Sequence, residues 1–370
     1  MATIAEQLTQ LQNDKQVLVD NLVAKGVEAS SDETFTTLAP KVADIEAGGG
    51  GEDYFDLNYN GSGGLIAHIK KIPLIDFSEK TSMTSYFSNA RSLEAIPQIN
   101  TSKCLNFNAC FYNCSSLKTV PLFDTSKATD VNNLFSGCTS LEEVPELDFS
   151  SATATSNIFY SSGVKHIKTL NCPKATSIQG VFQNCSNLET IEEIIMGEKT
   201  TNMNNTFNHC DMLVNIPFFD TSRVTIMNST FRYCGSLEEL PQYDTSNNTD
   251  FQYCFQYCYK LKKIPLLECG NVSNFSIVFY NNTALTDLGG FKDLGKGFDA
   301  SITTNNTKAS ITLMNAPNLT HESIVNVINN VYDIKTLGLN TQQIRVDANQ
   351  LALLTPEEIA VATDKGWTVM

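Results

Sequence analysis

The sequence predicts an α/β solenoid of β/α units about 24 residues long, with an N-terminal helical segment and a C-terminal β/α cap. Three observations predict it. Phenylalanines fall at Phe87, Phe111, Phe135, Phe159, Phe182, Phe207, Phe231, Phe255 and Phe279, in steps of 24, 24, 24, 23, 25, 24, 24 and 24 residues. Around them other residues recur in phase: Cys three on (Cys114, Cys138, Cys185, Cys210, Cys234, Cys258), Leu six on, an aliphatic nine on, and usually a proline next (Pro97, Pro121, Pro145, Pro217, Pro241, Pro265). Asp-Thr-Ser then follows at 124–126, 220–222 and 244–246. A period in the twenties marks units that cannot bury an apolar face alone and must stack on their neighbours.

Four regions follow in order: a helical segment at 1–46, a glycine-rich hinge at 47–64, the repeat array at 65–290 and the cap at 291–370. In the first, Ile4, Leu8, Leu11, Lys15, Leu18 and Leu22 alternate steps of four and three, the seam of a short coiled coil with one lysine at a core position. This reading makes the segment an oligomerisation or docking element and the protein a homo-oligomer, a trimer foremost. The alternative is an amphipathic helix packed on its own chain. Gly26 breaks the helix, Ser30 with Glu33 forms a capping box for a second one, and Gly48 to Gly51 form the hinge.

Within each repeat, apolar residues at Phe−4, Phe and Phe+3 have the spacing of one helical face, and an N-cap residue type precedes them: Ser82, Asn106, Asp130, Ser177, Asn202, Asp250, Asn274. These two signals predict a short helix per unit. The Leu-x-x-Ile-Pro segment predicts a strand paired in parallel with the next rung, and Asp-Thr-Ser the turn back. Around Phe159 the pattern changes: Ser162 replaces Cys, Gly163 shortens the link, and proline is absent at Thr169 and again at Ile191–Ile194, which predicts a bend or altered twist at 160–200. In the cap, 310–314 and 344–346 read as strands, Thr320 and Thr355 cap helices, and Gly366 stops the last before a Trp367–Val369 strand with its Trp buried.

A net charge of −15 argues against nucleic acid and anionic membrane surfaces. No run approaches the roughly 18 apolar residues of a membrane span, and the first seven residues have neither the basic start nor the apolar core of a secretory signal, so none is expected. Eleven cysteines, six at one repeat position, read as packing rather than a disulfide framework. Cys110 with Cys114 and Cys254 with Cys258 have the look of zinc half-sites but lie six rungs apart. The histidines His68, His166, His209 and His321 fall at unrelated repeat positions and no nucleophile recurs beside a base, so no enzyme, metal or cofactor is expected.

A candidate ligand surface comes from what varies on the fixed scaffold. After the Leu positions, Lys118, Glu142, Glu143, Glu238, Glu239, Lys262 and Lys263 give the strand face patches of alternating sign. Arg232, Tyr233, Tyr253, Tyr257 and Tyr259 cluster where other units carry Asn, Ser and Gln. Solvated charge and ring packing are the plain reading of both; recognition by aromatic stacking is the sharper one.

The motif Phe-x-x-Cys-x-x-Leu-x-x-Ile-Pro-x-x-Asp-Thr-Ser, with Met-x-x-x-Phe at 203–207 and 227–231, resembles the BspA-like leucine-rich repeat family of bacterial surface and phage-encoded proteins, over roughly residues 72–290. The resemblance implies a leucine-rich-repeat solenoid used for attachment. The N-terminal Leu-rich helix, Lys-Gly-Val and glycine run are similar to the start of tail-associated proteins of phages and prophages. Together they imply a non-enzymatic virion appendage, made in the host cytoplasm, whose helices dock to other virion proteins and whose repeats bind a bacterial cell-surface protein or glycan. The alternative is a bacterial surface adhesin or protein–protein interaction scaffold that reaches the surface by a signal-independent route.

Overall fold

The computed structural model describes residues 77–370, Lys70, Ile72, residues 28–34 and the helical positions Gln12, Lys15, Gln16, Val19, Asp20, Leu22 and Val23. The chain divides into two compact units, one of residues 1–152 with 161–164, the other of 153–160 with 165–370. Each is a stack of rungs. In the first, Phe87, Phe111 and Phe135 stack ring on ring, with centroids 5.2 and 5.5 Å apart and planes within 9°. In the second, Phe159, Phe182, Phe207, Phe231, Phe255 and Phe279 do so at 5.4–5.8 Å. The Leu positions six on are fully buried beside these columns.

The expected helix in each unit is absent, and a ladder of consecutive turns replaces it. Residues 203–210 show why. Met203, Asn205, Phe207 and His209 donate their N–H to the carbonyls of Ile226, Asn228, Thr230 and Arg232 on the next rung, at 2.9–3.0 Å. Thr206, Asn208 and Cys210 donate three residues back within the rung, and Asn204 donates to the Asn202 side chain at 2.8 Å. Every amide is satisfied and none is left for the i→i−4 bond of an α-helix. Sending alternate amides outward requires left-handed backbone at Phe−2 and Phe+2, and Asn133, Asn157, Asn205, Asn89, Asn113, Asn184 and Asn281 occupy these places with φ between 55° and 65°. Where the side chain is glycine, as at Gly137 and Gly180, φ is 76° and 62°. The N-cap residue types do accept from the N–H two residues on, for example Asn106 from Asn108 at 2.8 Å and Asp130 from Asn132 at 3.0 Å, but they open a turn, not a helix.

The strand segments pair in parallel with a 24-residue offset. The strands β1 (His166–Cys172) and β2 (Thr190–Met196) pair from His166↔Thr190 to Cys172↔Met196. Both rungs lack the proline at Phe+10, as does the Phe279 rung with Gly289, and they carry the longest uninterrupted ladder among the described residues. In the proline rungs the missing N–H cuts the ladder: β3 (Lys263–Ile264) and β4 (Leu267–Glu268) stand on either side of Pro265 and pair with β5 (Asp287–Leu288) and β6 (Phe291–Lys292). Each Asp-Thr-Ser turn is held as expected. Asp124 and Asp220 accept the N–H of Ser126 and Ser222 at 2.9 and 2.8 Å, and Thr221 Oγ1 reaches the Asp244 carbonyl of the next rung at 2.7 Å.

The column cysteines also bind rung to rung. Cys114, Cys138, Cys185, Cys210, Cys234 and Cys258 donate S–H to the carbonyls of Phe87, Phe111, Phe159, Phe182, Phe207 and Phe231 at 2.9–3.2 Å. All eleven cysteines are buried and free, and burial pushes the Cys210 and Cys234 thiols well up, which keeps them unreactive.

The second unit ends in longer elements. A parallel sheet of β7 (Ile311–Thr312), β8 (Gln342–Arg345) and β9 (Trp367–Val369) alternates along the chain with α1 (His321–Asn330), α2 (Ala348–Leu351) and α3 (Pro356–Asp364), and α3 packs on β9 and α1. Thr320 and Thr355 cap α1 and α3 by accepting from Ser323 and Glu358. Leu288 N–H donates to Ser323 Oγ at 2.9 Å, which ties α1 to the last rung. Trp367 is buried and its indole N–H donates to the Tyr332 carbonyl at 2.9 Å. No helix among the described residues is long and apolar enough to cross a membrane.

At the N-terminus, Ile4, Leu8, Leu11 and Leu18 of the expected seam, the second helix and the hinge lie outside the described residues. Lys15 is half-buried, and Val19 and Leu22 are buried within the single chain. Glu33 accepts the Ser30 N–H at 2.9 Å, one half of the expected capping box, while Ser30 Oγ accepts from Asp32 at 3.2 Å.

Because each rung is covered by its neighbours, damage spreads. Phe207 stacks on Phe182 and Phe231. Phe207→Ala is expected to cost about 3–5 kcal/mol in denaturant unfolding. Hydrogen exchange should accelerate in the rungs of both neighbours, whereas faster exchange confined to 203–210 would mean that the rungs are independent.

Candidate binding surface

The turn ladder dictates where side chains stand, and one of its positions carries the candidate site. At Phe+2 the backbone is left-handed in every rung, and the occupants are Asn89, Asn113, Gly137, Ser161 and Asn184, then His209, Tyr233 and Tyr257, then Asn281. Asn and Gly tolerate this conformation, whereas a bulky ring there is strained. Three consecutive rungs of the second unit nevertheless place rings on it. His209 and Tyr233 stack at 4.1 Å, and Tyr233 and Tyr257 at 4.4 Å, with planes within 15°.

Two further groups build on this stack. The Arg232 guanidinium lies 5.0 Å from the Tyr233 ring and 5.1 Å from that of Tyr253, and its Nε donates to Gln256 Oε1 at 2.7 Å, which fixes it in place. Tyr259 is 45% exposed and packs against Tyr257 at 6.0 Å. It leans over Gly235, where a Cβ would meet its ring at 3.4 Å, toward Asp211. Burial and the neighbouring Tyr233, Tyr257 and Asp211 raise the Tyr259 hydroxyl above its ordinary pKa, so it remains a proton donor. Partial burial, aided by Arg232 and opposed by Asp211, holds the His209 ring below its usual pKa. The edge thus offers ring surface, phenolic hydroxyls, one carboxylate and one fixed guanidinium.

Of the residues singled out in the sequence, Arg232, Tyr233, Tyr257 and Tyr259 come together here, with Tyr253. His209 and Asp211 were missed. The signal was repeat phase: His209 shares Phe+2 with Tyr233 and Tyr257, and Asp211 shares Phe+4 with Tyr259.

The charged strand residues form a different arrangement. Lys118 pairs with Glu94 at 3.5 Å, Lys262 with Glu238 at 2.7 Å and Lys263 with Asp287 at 2.9 Å, each with the rung 24 residues away. The alternating sign is consumed between neighbouring rungs, in exposed pairs that solvent screens. Glu142, Glu143 and Glu239 are exposed on the same segments. Among the described residues no group of three or more His, Cys, Asp or Glu could hold a metal ion.

Strain at Phe+2 and stacking oppose one another. Replacing Tyr233 or Tyr257 by Asn relieves the first and gives up about 0.5–1.5 kcal/mol of the second. Stability of Tyr233→Asn and Tyr257→Asn should therefore stay within about 1 kcal/mol of the parent in urea unfolding. A loss of about 3 kcal/mol or more would mark these rings as structural.

No curated protein matches the chain in sequence. Among solved structures it is similar to a leucine rich cell surface protein of Faecalibacterium prausnitzii, at 17% identity and a TM-score of 0.33 over 69% of this chain and 76% of that one. It is also similar to a leucine-rich repeat protein of Eubacterium ventriosum, at 14% and 0.25 over 67% and 82%, and to one of Bacteroides ovatus, at 12% and 0.22 over 82% and 88%. Likeness at these values carries no argument about function. A family model matches far more directly, over residues 81–194 and 201–309, which takes in most of the rungs of both units. By that match the chain belongs to the family described as Mycoplasma protein of unknown function, DUF285.

Proposed function

We propose that this chain is a non-enzymatic binding protein of the adhesin or interaction-scaffold kind, which recognises a cell-surface glycan or protein through the aromatic edge of its second unit. The observation that carries the reading is the stack of His209, Tyr233 and Tyr257: three rings occupy left-handed positions that Asn, Gly or Ser fill in the other rungs, and the two tyrosines are strained there. Strain retained at half-buried surface positions is characteristic of functional surfaces. The chemistry suits a ligand with both apolar and hydroxyl-bearing faces, such as a sugar. Rings take the C–H face, while Tyr259, Asp211 and Arg232 offer hydrogen bonds of both polarities.

The virion appendage expected from residues 1–46 draws no support from this edge or from the proteins similar to the chain, and the adhesin reading replaces it. No cofactor or metal takes part, and oligomerisation is not needed for the edge, whose residues all come from one chain.

The test is a screen of the full chain against immobilised bacterial and host glycans and surface proteins, beside the Tyr233→Asn/Tyr257→Asn double variant. Loss of a hit by about tenfold or more in the double variant is expected, equivalent to about 1.4 kcal/mol. Hits that survive it unchanged would place recognition elsewhere, and turnover of any bound polysaccharide would contradict the non-enzymatic reading.

A further inference from the structure

Neighbouring rungs of the first unit are latched along the segment that runs from the proline to the Asp-Thr-Ser turn. Gln98 Nε2 donates to the Leu122 carbonyl at 2.6 Å, and Thr101 Oγ1 to the Asp124 carbonyl at 2.7 Å. The second unit uses the same latches: Gln242 donates to the Leu266 carbonyl at 3.0 Å, and Thr245 to the Glu268 carbonyl at 3.0 Å. One rung further along the first unit both are missing. Leu122 stands in the place of Gln98 and has no donor, and it is 60% exposed. Thr125 stands in the place of Thr101, is 1% exposed, and its Oγ1 has no hydrogen-bond partner.

At this seam a cleft of about 710 Å³ opens. It spans the latched rung at residues 98–101 as well as the unlatched one, and its wall joins the apolar Leu122 and Phe123 to Thr125 and to the carboxylates of Asp124, Glu146 and Asp148. Hydrogen bonds from the Ser126 hydroxyl and N–H hold the Asp124 carboxyl below its usual pKa, so it is ionised across the neutral range. A buried hydroxyl without a partner is rare in a native fold and costly to keep.

We propose that this cleft binds an extended basic peptide segment: the aliphatic stem of a lysine or arginine lies on Leu122, its cationic head among Asp124, Glu146 and Asp148, and a peptide carbonyl accepts the Thr125 hydroxyl. The carbonyl takes the place of the rung carbonyl that Thr125 lacks. Lysine and arginine are the side chains that present an apolar stem and a cation together, and the acidic rim excludes an acidic segment. This site is separate in chemistry and in unit from the aromatic edge and does not rest on it.

The probe is a fluorescein-labelled acetyl-Leu-Lys-Leu-Lys-Leu-amide, titrated with the full chain by anisotropy beside its glutamate counterpart. Saturable binding of the basic peptide, weakening with salt, and none of the acidic one is expected. Leu122→Gln restores the missing donor and should close the seam, weakening binding by roughly tenfold or more with Tm unchanged or raised. Thr125→Val should weaken binding without lowering Tm, and the Tyr233→Asn/Tyr257→Asn variant should bind the peptide as the parent does. The proposal is overturned if the basic peptide fails to bind, if both peptides bind alike, if Leu122→Gln binds as the parent, or if Thr125→Val lowers Tm as loss of a formed latch would.

Discussion

The structure depends on one constraint: between neighbouring rungs of the same unit, alternate backbone amides are given to the next rung instead of closing an i→i−4 helix. Met203, Asn205, Phe207 and His209 do this in sequence, and the amides between them close turns three residues back. A segment that shares its donors in this way has no stable form alone, because half of its N–H groups would be orphaned without a neighbour. Stacking is therefore a condition of the backbone as well as of the apolar core. The side chains follow: Asn at the left-handed places, Phe flat over Phe, and a thiol small enough to sit under the preceding Phe carbonyl and donate to it.

The same constraint explains both the cap and the surfaces. A last rung whose outward-facing groups met nothing would be unstable, and the second unit supplies α1 with its Ser323 hydroxyl, and a sheet whose strands complete the parallel order. Because the rung interior is fixed, variation is confined to positions that the ladder holds in place, and a substitution repeated in adjacent rungs becomes a column. Rings at Phe+2 produce the aromatic edge in this way. Recognition on such a scaffold needs no loop insertion, only a change of residue at a phase of the repeat.

The period, the ring column, the buried Leu and Cys positions, the Asp-Thr-Ser turns and both cap helices were legible in the sequence, because burial and local side-chain hydrogen bonding leave residue-level marks. The helix within each unit was misread for a physical reason. Consecutive turns of four residues place Val131, Phe135 and Cys138 on one side just as a helix does, and Asx side chains open turns as readily as they cap helices. The Asn residues that recur two before the Phe (Asn133, Asn157, Asn205) or two after it (Asn89, Asn113, Asn184, Asn281) were the contrary signal, since they mark left-handed backbone that a helix cannot contain. Loss of proline near Thr169 and Ile191 predicted a bend or altered twist, and the structure places the longest strand pair on these segments. The strand-face charges were visible as residues, but their pairing across rungs becomes visible only when the sequence is folded onto its 24-residue period.

The most direct measurement of the donor arrangement is the scalar coupling across hydrogen bonds in deuterated, isotope-labelled protein. The Phe207 amide nitrogen should couple to the carbonyl carbon of Thr230, 23 residues ahead on the next rung. Coupling of that amide to the Met203 carbonyl, as in an α-helix, would contradict the turn ladder and with it the columns built on its left-handed positions.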